Sequence, residues 1–377
     1  YTNKCIYSCK YCFSQSCKQR VSFTPEEYAR TFIKLYSMNV VEGIFISSGV
    51  CGSADAATEE MLEAVRLLRF KYHFQGYVHF KCLPGVSRYL LKEAISLSDR
   101  ISVNIEASTK EYLAEIADQK NFKNDIIMRQ RWLKQIRIKH NEETLKIIKD
   151  LKKDDKHQLE FQEKMILARR ENGYKKFRWD GAPILNSGQT TQFVVGAAED
   201  ETDRDLLKRI DWQYREVDLR RAYFSAFVPI EGTPFANKKA ASLEREHRLY
   251  QSDWLLRIYH YNLKDLVEIL NEEGNLPRGD PKIHFARYYF KEHGLIDPNQ
   301  ASYRELIRVP GIGPISAKRI INLRAQKFKF KRREDLKSVG VVLKRADPYL
   351  IINGRNQTTL QNFFDHDNNK ILQGTIQ

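Results

Sequence analysis

The sequence predicts an α/β fold followed by a small all-α domain. Three observations predict it. From Thr24 to Pro229 short apolar runs alternate with amphipathic stretches, the pattern of parallel βα units. After Pro298 the pattern contracts into brief, basic helical segments punctuated by glycine. The chain has 377 residues, more than one average domain, so two or three domains are expected.

The elements follow in order. Thr24-Pro25-Glu26-Glu27 is a helix start, with Thr24 as N-cap, Pro25 in the first turn and Glu27 closing a capping box; the helix runs to about Asn39. Gly43 to Ser47 is a buried strand that ends in the Ser48-Gly49 loop. A helix over 58–73, a strand from Gly76 to Pro84, a helix over 87–98 and a strand from Ile101 to Glu106 continue the alternation. From Asn124 to about Glu171 the pattern is helical, polar and basic, and interrupts the alternation like an insertion. Gly181 to Gly188 is a loop. Then come a strand from Thr190 to Gly196, a helix near 202–216, a strand from Arg221 to Pro229 and a long helix over 242–261. The expected domains are 1–235, with a basic helical insertion at about 120–178; a helical connector over 236–297; a paired helical-hairpin unit over 298–353; and a polar, frayed tail over 354–377.

Composition excludes several classes. The chain is 42% hydrophobic and 29% charged, a globular balance and not that of a disordered chain. It has no apolar run long enough for a transmembrane helix and no signal-peptide pattern. Net charge is +15, which favours a polyanionic partner. Residues 120–178 and 301–347 each carry a net +9, and the remainder sums to −3. All six cysteines lie at or before residue 82, four of them in the first 17 residues, which is not a secreted disulfide framework. Clustered thiols point to metal or redox chemistry.

Cys5-Ile-Tyr-Ser-Cys9-Lys-Tyr-Cys12 has the spacing C-x3-C-x2-C. Three thiolates can face one point but cannot complete a tetrahedral zinc site, which wants four ligands. A four-iron cluster held by three cysteines leaves one iron open to an outside ligand. A zinc knuckle completed by Cys17 or a histidine is the other reading of the same spacing. This motif, with Tyr11 just before the last cysteine, resembles that of the radical S-adenosyl-L-methionine (SAM) superfamily. The resemblance implies a partial (β/α)6 barrel, its first strand lying mostly before residue 1, and a 4Fe-4S cluster on Cys5, Cys9 and Cys12 at the C-terminal ends of the strands. It further implies SAM on the open iron, cleaved by one electron to a 5′-deoxyadenosyl radical.

The same resemblance assigns further residues. Ser47-Ser48-Gly49 sits where the family holds the SAM amino group; the other reading is a tight loop. Asn104 and Glu106, on one face of the 101–106 strand, match a polar pair near the SAM ribose and carboxylate. Gln192-Phe-Val-Val-Gly196-Ala-Ala-Glu199 matches the adenine-binding stretch in part, with Gln192 in place of its first glycine and Gly196 letting the backbone approach. The alternative there is a strand leading into an acidic helix start. Lys81 and Ser225, at strand ends, face the cavity in this reading. Cys17, Cys51 and Cys82 fit no ligand motif; a second cluster and buried free thiols both remain open.

Ser302 to Val309 reads as a helix, Pro310-Gly311-Ile312-Gly313-Pro314 as a tight turn, and Ile315 to Ala325 as a second helix. This resembles the helix-hairpin-helix motif. Gly311 and Gly313 admit a phosphate, N–H groups near Ser316 point at it, and Lys318 and Arg319 add charge, all without sequence readout. Glu334 to Arg345 is a weaker second copy, with Val342 at the second glycine position and Lys344 as its cation. A helical protein-interaction domain is the alternative. The basic 124–170 stretch reads equally as a nucleic-acid groove or a solvated helix laced with charge pairs. In the 242–261 helix Leu243, His247, Tyr250 and Trp254 share a face, read as a core face, with His247 as a catalytic acid the lesser reading.

Barrel motif and paired hairpins together resemble the bacterial radical SAM family described as DNA modification or repair proteins. Arg245 to Arg257 and Arg308 to Gly313 support the resemblance, which runs from Thr2 to about Gly354. That family has a further cysteine-bearing N-terminal segment, so one is expected before Tyr1, and its reaction is not established. The resemblance implies nucleic acid as partner, DNA favoured. It also implies an electron donor such as flavodoxin or ferredoxin, at times a uracil-DNA-glycosylase-like protein, and a reduced cytoplasm. RNA modification, or a non-catalytic iron–sulfur protein that binds DNA or senses redox state, are the alternatives.

Overall fold

In this computed structural model, residues 1–154, 187–352 and 354–356 are described. The predicted alternation forms five parallel strands: β1 (Gly43–Ile46), β2 (Tyr77–Lys81), β3 (Arg100–Ser102), β4 (Gln189–Val195) and β5 (Leu219–Ala226). They are hydrogen-bonded in chain order. That order, with no reversal, is barrel winding; a doubly wound sheet reverses at a switch point. The first residues extend the curve past β1. The Tyr1 amine donates to the Ser47 carbonyl at 2.6 Å, the Gly49 N–H to Thr2 at 2.7 Å and the Ile6 N–H to Val50 at 2.8 Å.

Strand alternation sets the two faces. Ile44, Ile46, Val78, Phe80 and Phe224 are buried on the outer face, under the helices. The register aligns Phe45 with His79, His79 with Arg100, Ser102 with Thr190 and Gln192 with Tyr223, so these share the concave face.

A short turn of helix, α1 (Phe13–Ser16), follows the cysteine loop. Helix α2 (Pro25–Ser37) has the predicted capping box between Thr24 and Glu27. Helix α3 (Ala54–Arg66) starts earlier than the apolar pattern suggests because Ser53 caps it, and it runs into a π-helical turn, Leu67–Lys71. Helices α4 (Arg88–Leu97) and α5 (Lys110–Ala117) follow; the sequence pattern misses α5.

Two expectations change. The strand predicted over 101–106 stops at Ser102. Glu106 takes a left-handed backbone, φ 65°, and makes a single bridge to Phe193 instead of continuing the ladder. The basic stretch opens with another π-helical turn, Phe122–Ile127, and continues as helix α6 (Met128–Asp154). Its start is not a solvated insertion. Arg129 and Gln130 are buried, Arg129 donating to the carbonyls of Val86 and Gly85 and Gln130 to that of Val103. The rest of the predicted insertion, most of the 181–188 loop and nearly all of the polar tail lie outside the described residues.

The chain divides into two compact units. One comprises 1–201 and 208–246; the other comprises 202–207 and the chain from His247 onward. The helix Leu243–Arg257 buries Leu249, Ser252, Asp253, Leu255 and Leu256. The expected core face is the wrong one: Leu243 is 64% and Trp254 50% exposed, and His247 is exposed. Apolar spacing misled because Ser252 and Asp253 are buried beside the leucines.

The second unit packs the helices Pro281–His293, Tyr303–Arg308, Pro314–Ala325, Arg333–Ser338 and Leu343–Ala346 around Leu306, Ile312, Ile320, Phe330 and Leu336. Among the described residues no helix is long and apolar enough to cross a membrane.

Candidate functional site

A cavity of about 680 Å³ opens at the C-terminal ends of the strands. Cys5, Cys9, Cys12, Tyr11, Ser47, Ser48, Gly49, Asn104, Glu106 and Gln192 all line it, as do Lys81 and Ser225. They come from the first twelve residues, the loop after β1, the chain after β3, and strands β2, β4 and β5.

The cysteine loop is held by its backbone. The Cys12 N–H donates to the Cys9 carbonyl at 3.0 Å, Lys10 N–H to Ile116 at 2.9 Å, and Val50 N–H to the Cys5 sulfur at 3.3 Å. Gly49 is required by this loop. A β-carbon there would stand 2.3 Å from the Lys4 carbonyl oxygen and 3.2 Å from Cys5 Cβ. All three thiols are free. Burial raises the pKa of Cys9, with Lys120 pulling the other way.

The left-handed turn at Glu106 sends its carboxylate under the loop. Lys120 lies 3.4 Å from both Glu106 Oε1 and the Tyr11 hydroxyl, and the Lys120 and Glu106 side chains are 7% and 8% exposed. Burial opposes the Lys120 charge, but Tyr11, Glu106 and Cys9 outweigh it and hold the pKa well above its ordinary value. Burial, reinforced by Glu106, drives the Tyr11 hydroxyl far upward. Lys120 is absent from the sequence reading, since it opens a run of basic residues that looks like surface charge. Asn104 donates to Gln192 Oε1 at 3.4 Å across β4. Phe227, Val228 and Ile230 supply an apolar wall.

Other candidates lie elsewhere. Gly196 is not in the lining; at φ 78° a β-carbon would meet Ala241 Cβ at 2.8 Å, so tight packing explains this glycine. The second trio is not gathered. Cys17 bonds Asn3 and Gln19, Cys51 is off the lining, and Cys82 lines the cavity as a buried thiol whose pKa burial pushes up to about 12. Among the described residues no three Cys, His, Asp or Glu side chains converge as a single-ion site requires. A four-iron cluster places each thiolate on a different iron, so its ligands stand apart.

The C-terminal unit holds two hairpins side by side. Gly311 and Gly340 have matching backbones, φ 87° and 88°. Each sits against the other hairpin: Val342 N–H donates to the Gly311 carbonyl at 2.9 Å, and Ser316 Oγ to the Gly340 carbonyl at 2.9 Å. Gly313 has φ −98°, open to any residue, which explains how Val342 stands at its counterpart. Gly313 N-caps the helix Pro314–Ala325 without a side-chain cap, leaving first-turn N–H groups for an outside acceptor. Lys318, Arg319 and Lys344 are exposed, whereas Ser316 is buried between the hairpins and not on the surface. The sequence reading also missed Lys282. It is buried, donates to the Ile312 carbonyl at 2.7 Å and stands 4.4 Å from the Tyr259 ring centre.

Residues 291–345 match the model of the helix-hairpin-helix motif, a span that takes in both hairpins. No curated protein matches the chain. Among solved structures, the chain is similar to the FeFe-hydrogenase maturase HydG from Carboxydothermus hydrogenoformans. Identity is 11% and TM-score 0.44, over 68% of this chain and 49% of that one. A second HydG crystal structure, titled a maturase of the FeFe-hydrogenase, aligns at 9% identity and TM-score 0.43 over 90% of this chain and 78% of that one. The chain spans about half the length of the first.

Proposed function

We propose that the chain is a radical SAM enzyme acting on nucleic acid, with DNA the favoured substrate. One observation carries the reading: the three cysteines and the polar residues Ser47, Ser48, Asn104, Glu106 and Gln192 line one cavity. That cavity lies at the strand ends where barrels of this winding place their chemistry. The donor set fits a 4Fe-4S cluster, with three free thiols on one loop, a backbone N–H on the Cys5 sulfur and room beside them for an organic cofactor. When bound, cluster and SAM supply one-electron cleavage of the sulfonium and a hydrogen-abstracting radical.

The chain's own residues do the rest. Asn104 and Gln192 orient a ribose, and Phe227, Val228 and Ile230 offer a face to adenine. Glu106, fixed by Lys120, presents an acceptor to an ammonium or hydroxyl. Gly311, Gly313, Lys318, Arg319 and Lys344 hold the phosphate backbone, and the target nucleotide is presented out of the stack. An electron donor of flavodoxin or ferredoxin type and a reduced cytoplasm suit an oxygen-labile cluster.

The test is anaerobic reconstitution of the full chain, with iron analysis and paramagnetic resonance of the reduced protein with and without SAM. The reading expects about four irons per chain and a spectrum that changes on adding SAM. Cys5→Ala, Cys9→Ala and Cys12→Ala should each lose the cluster, whereas Cys17→Ala should keep it. A stable cluster indifferent to SAM overturns the radical reading and leaves an iron–sulfur protein that binds nucleic acid.

A further inference from the structure

The hairpin turn Gly311–Gly313 is backed by two residues from outside the 291–345 motif span, Tyr259 and Lys282. Asp280 N-caps the helix Pro281–His293 and places Lys282 in its first turn, where it is buried. The Lys282 ammonium donates to the Ile312 carbonyl at 2.7 Å. The carbonyl and the N–H of one trans peptide point opposite ways, so a carbonyl held inward on Lys282 turns the Gly313 N–H away from the core. That N–H has no acceptor among the described residues. The Tyr259 ring centre lies 4.4 Å from the ammonium, and its hydroxyl stands 3.5 Å from where a Gly313 β-carbon would be. Burial, reinforced by Asp280, raises the pKa of that hydroxyl, so it keeps its proton to donate.

Stability does not explain this lysine. It is 7% exposed and makes no ion pair among the described residues. Asp280, the carboxylate two residues before it, is engaged: one oxygen accepts the Lys282 backbone N–H at 2.9 Å and the other accepts the Arg345 guanidinium. An apolar side chain of similar length would fill the same space without the cost of burying a charge. Burial, helped by Arg345, lowers the Lys282 pKa to about 7 against the pull of Asp280, so the free protein holds this charge poorly. A phosphate at the hairpin supplies the anion that the interior lacks.

We propose that Lys282 and Tyr259 complete the hairpin's site for a backbone phosphate of nucleic acid, Lys282 as the positioning residue that aims and polarises the Gly313 N–H, Tyr259 as a hydroxyl donor to the same phosphate. The ammonium draws electron density from the Ile312–Gly313 peptide and strengthens its N–H as a donor. The N–H and the hydroxyl serve different oxygens of one phosphate. The inference rests on the nucleic-acid reading of the hairpins and requires neither cluster nor SAM. It gives binding a dependence on pH. A bound phosphate favours the Lys282 ammonium, so binding takes up a proton and affinity falls as pH rises above about 7. The other groups facing Lys282 do not account for such a fall: Asp280 and Arg345 pair with each other, and Tyr259 stays neutral. His284, two residues along the helix, bonds the Arg278 carbonyl at 2.6 Å.

The test is equilibrium titration of the full chain with a labelled duplex DNA oligonucleotide at one salt concentration, from about pH 6 to 9. Affinity should fall about tenfold across this range. Lys282→Met should bind at least about tenfold more weakly at the low end, lose the fall with pH and still unfold cooperatively in a thermal melt. Tyr259→Phe, which keeps the ring, should lose about threefold or more at every pH and keep the fall. His284→Gln should change neither. A merely structural lysine would move the melt and leave the pH profile in place. A fall that survives Lys282→Met or vanishes in His284→Gln overturns the proposal, as does full affinity in Tyr259→Phe. If binding is lost in Lys318→Ala/Arg319→Ala but not in these variants, the inference fails and the nucleic-acid reading stands. An unaltered chain that binds no nucleic acid overturns both.

Discussion

At the scale of the residue, Gly49 and Lys282 show how single positions fix the two sites. A β-carbon at Gly49 meets the Lys4 carbonyl, so Gly49→Ala should push the cysteine loop away from β1. The expected result is a loss of roughly 1–3 kcal/mol of stability, with iron content well below that of the unaltered chain. Iron analysis alongside thermal unfolding checks both. Lys282 gives a dependence on pH. Burial lowers its pKa from 10.5 to about 7, against the pull of Asp280. From about pH 7 upward the unfolded chain binds a proton the folded chain does not, so this residue's contribution to stability improves with pH until its unfolded pKa is passed. The expected slope is about 1.4 kcal/mol per pH unit, and Lys282→Met should remove it. Denaturant titrations of both proteins at pH 7 and 9 decide the point; parallel curves would contradict it. Neither residue's role was legible in full. The sequence marks Gly49 as a loop glycine but not what crowds it, and nothing in the pattern of Pro281–His293 distinguishes Lys282 from a surface lysine.

At the scale of the element, the hairpins make the sharpest contrast. Gly311 and Gly313 look equivalent in the motif, but only Gly311 needs a positive φ, and a β-carbon there would stand 2.4 Å from the Val342 carbonyl oxygen. At Gly313 the nearest atom to such a carbon is the Tyr259 hydroxyl at 3.5 Å. Gly311→Ala should destabilise the hairpin unit by more than about 1 kcal/mol, while Gly313→Ala should fold normally and weaken nucleic-acid binding only. Thermal melts with binding titrations of the two variants separate these outcomes. The degenerate copy was readable for the same reason: Gly340 keeps the position that needs glycine, and Val342 replaces the one that does not. In the barrel, Arg69 ties the turn after α3 to the sheet by donating to the carbonyls of Leu97, Phe74 and Gly76 beside Asp99. Arg69→Ala should cost roughly 2–4 kcal/mol in a denaturant titration, because it leaves three carbonyls beneath the turn without their donor. Local periodicity placed the βα units but misjudged their ends. Ser53 caps α3 early, and β3 stops at Ser102, before the left-handed turn at Glu106 whose carboxylate meets Lys120 beside Tyr11.

At the scale of the whole molecule, the charge imbalance and the two site types belong to one account. The hairpin segment holds a net +9, and non-specific phosphate binding should show it as strong salt dependence. Lys318→Ala and Arg319→Ala should each reduce the slope of log K against log salt by about 0.9 on duplex DNA, uniformly across sequences. Equilibrium titrations from low to physiological salt measure it. Strand order, the cysteine loop and the paired hairpins were legible because short-range spacing encodes them. The Lys120–Glu106–Tyr11 group was not, because three separate segments of the chain, the cysteine loop, the chain after β3 and the chain after α5, bring it together. In the proposed function the cysteine-lined cavity and the hairpins serve one reaction. The direct measurement is 5′-deoxyadenosine released by the anaerobically reconstituted chain, given SAM and a strong reductant, with and without duplex DNA. The account predicts release that rises when DNA is added and disappears in Cys9→Ala. No release with an intact cluster would contradict it, and release indifferent to any nucleic acid would separate the cavity from the hairpins.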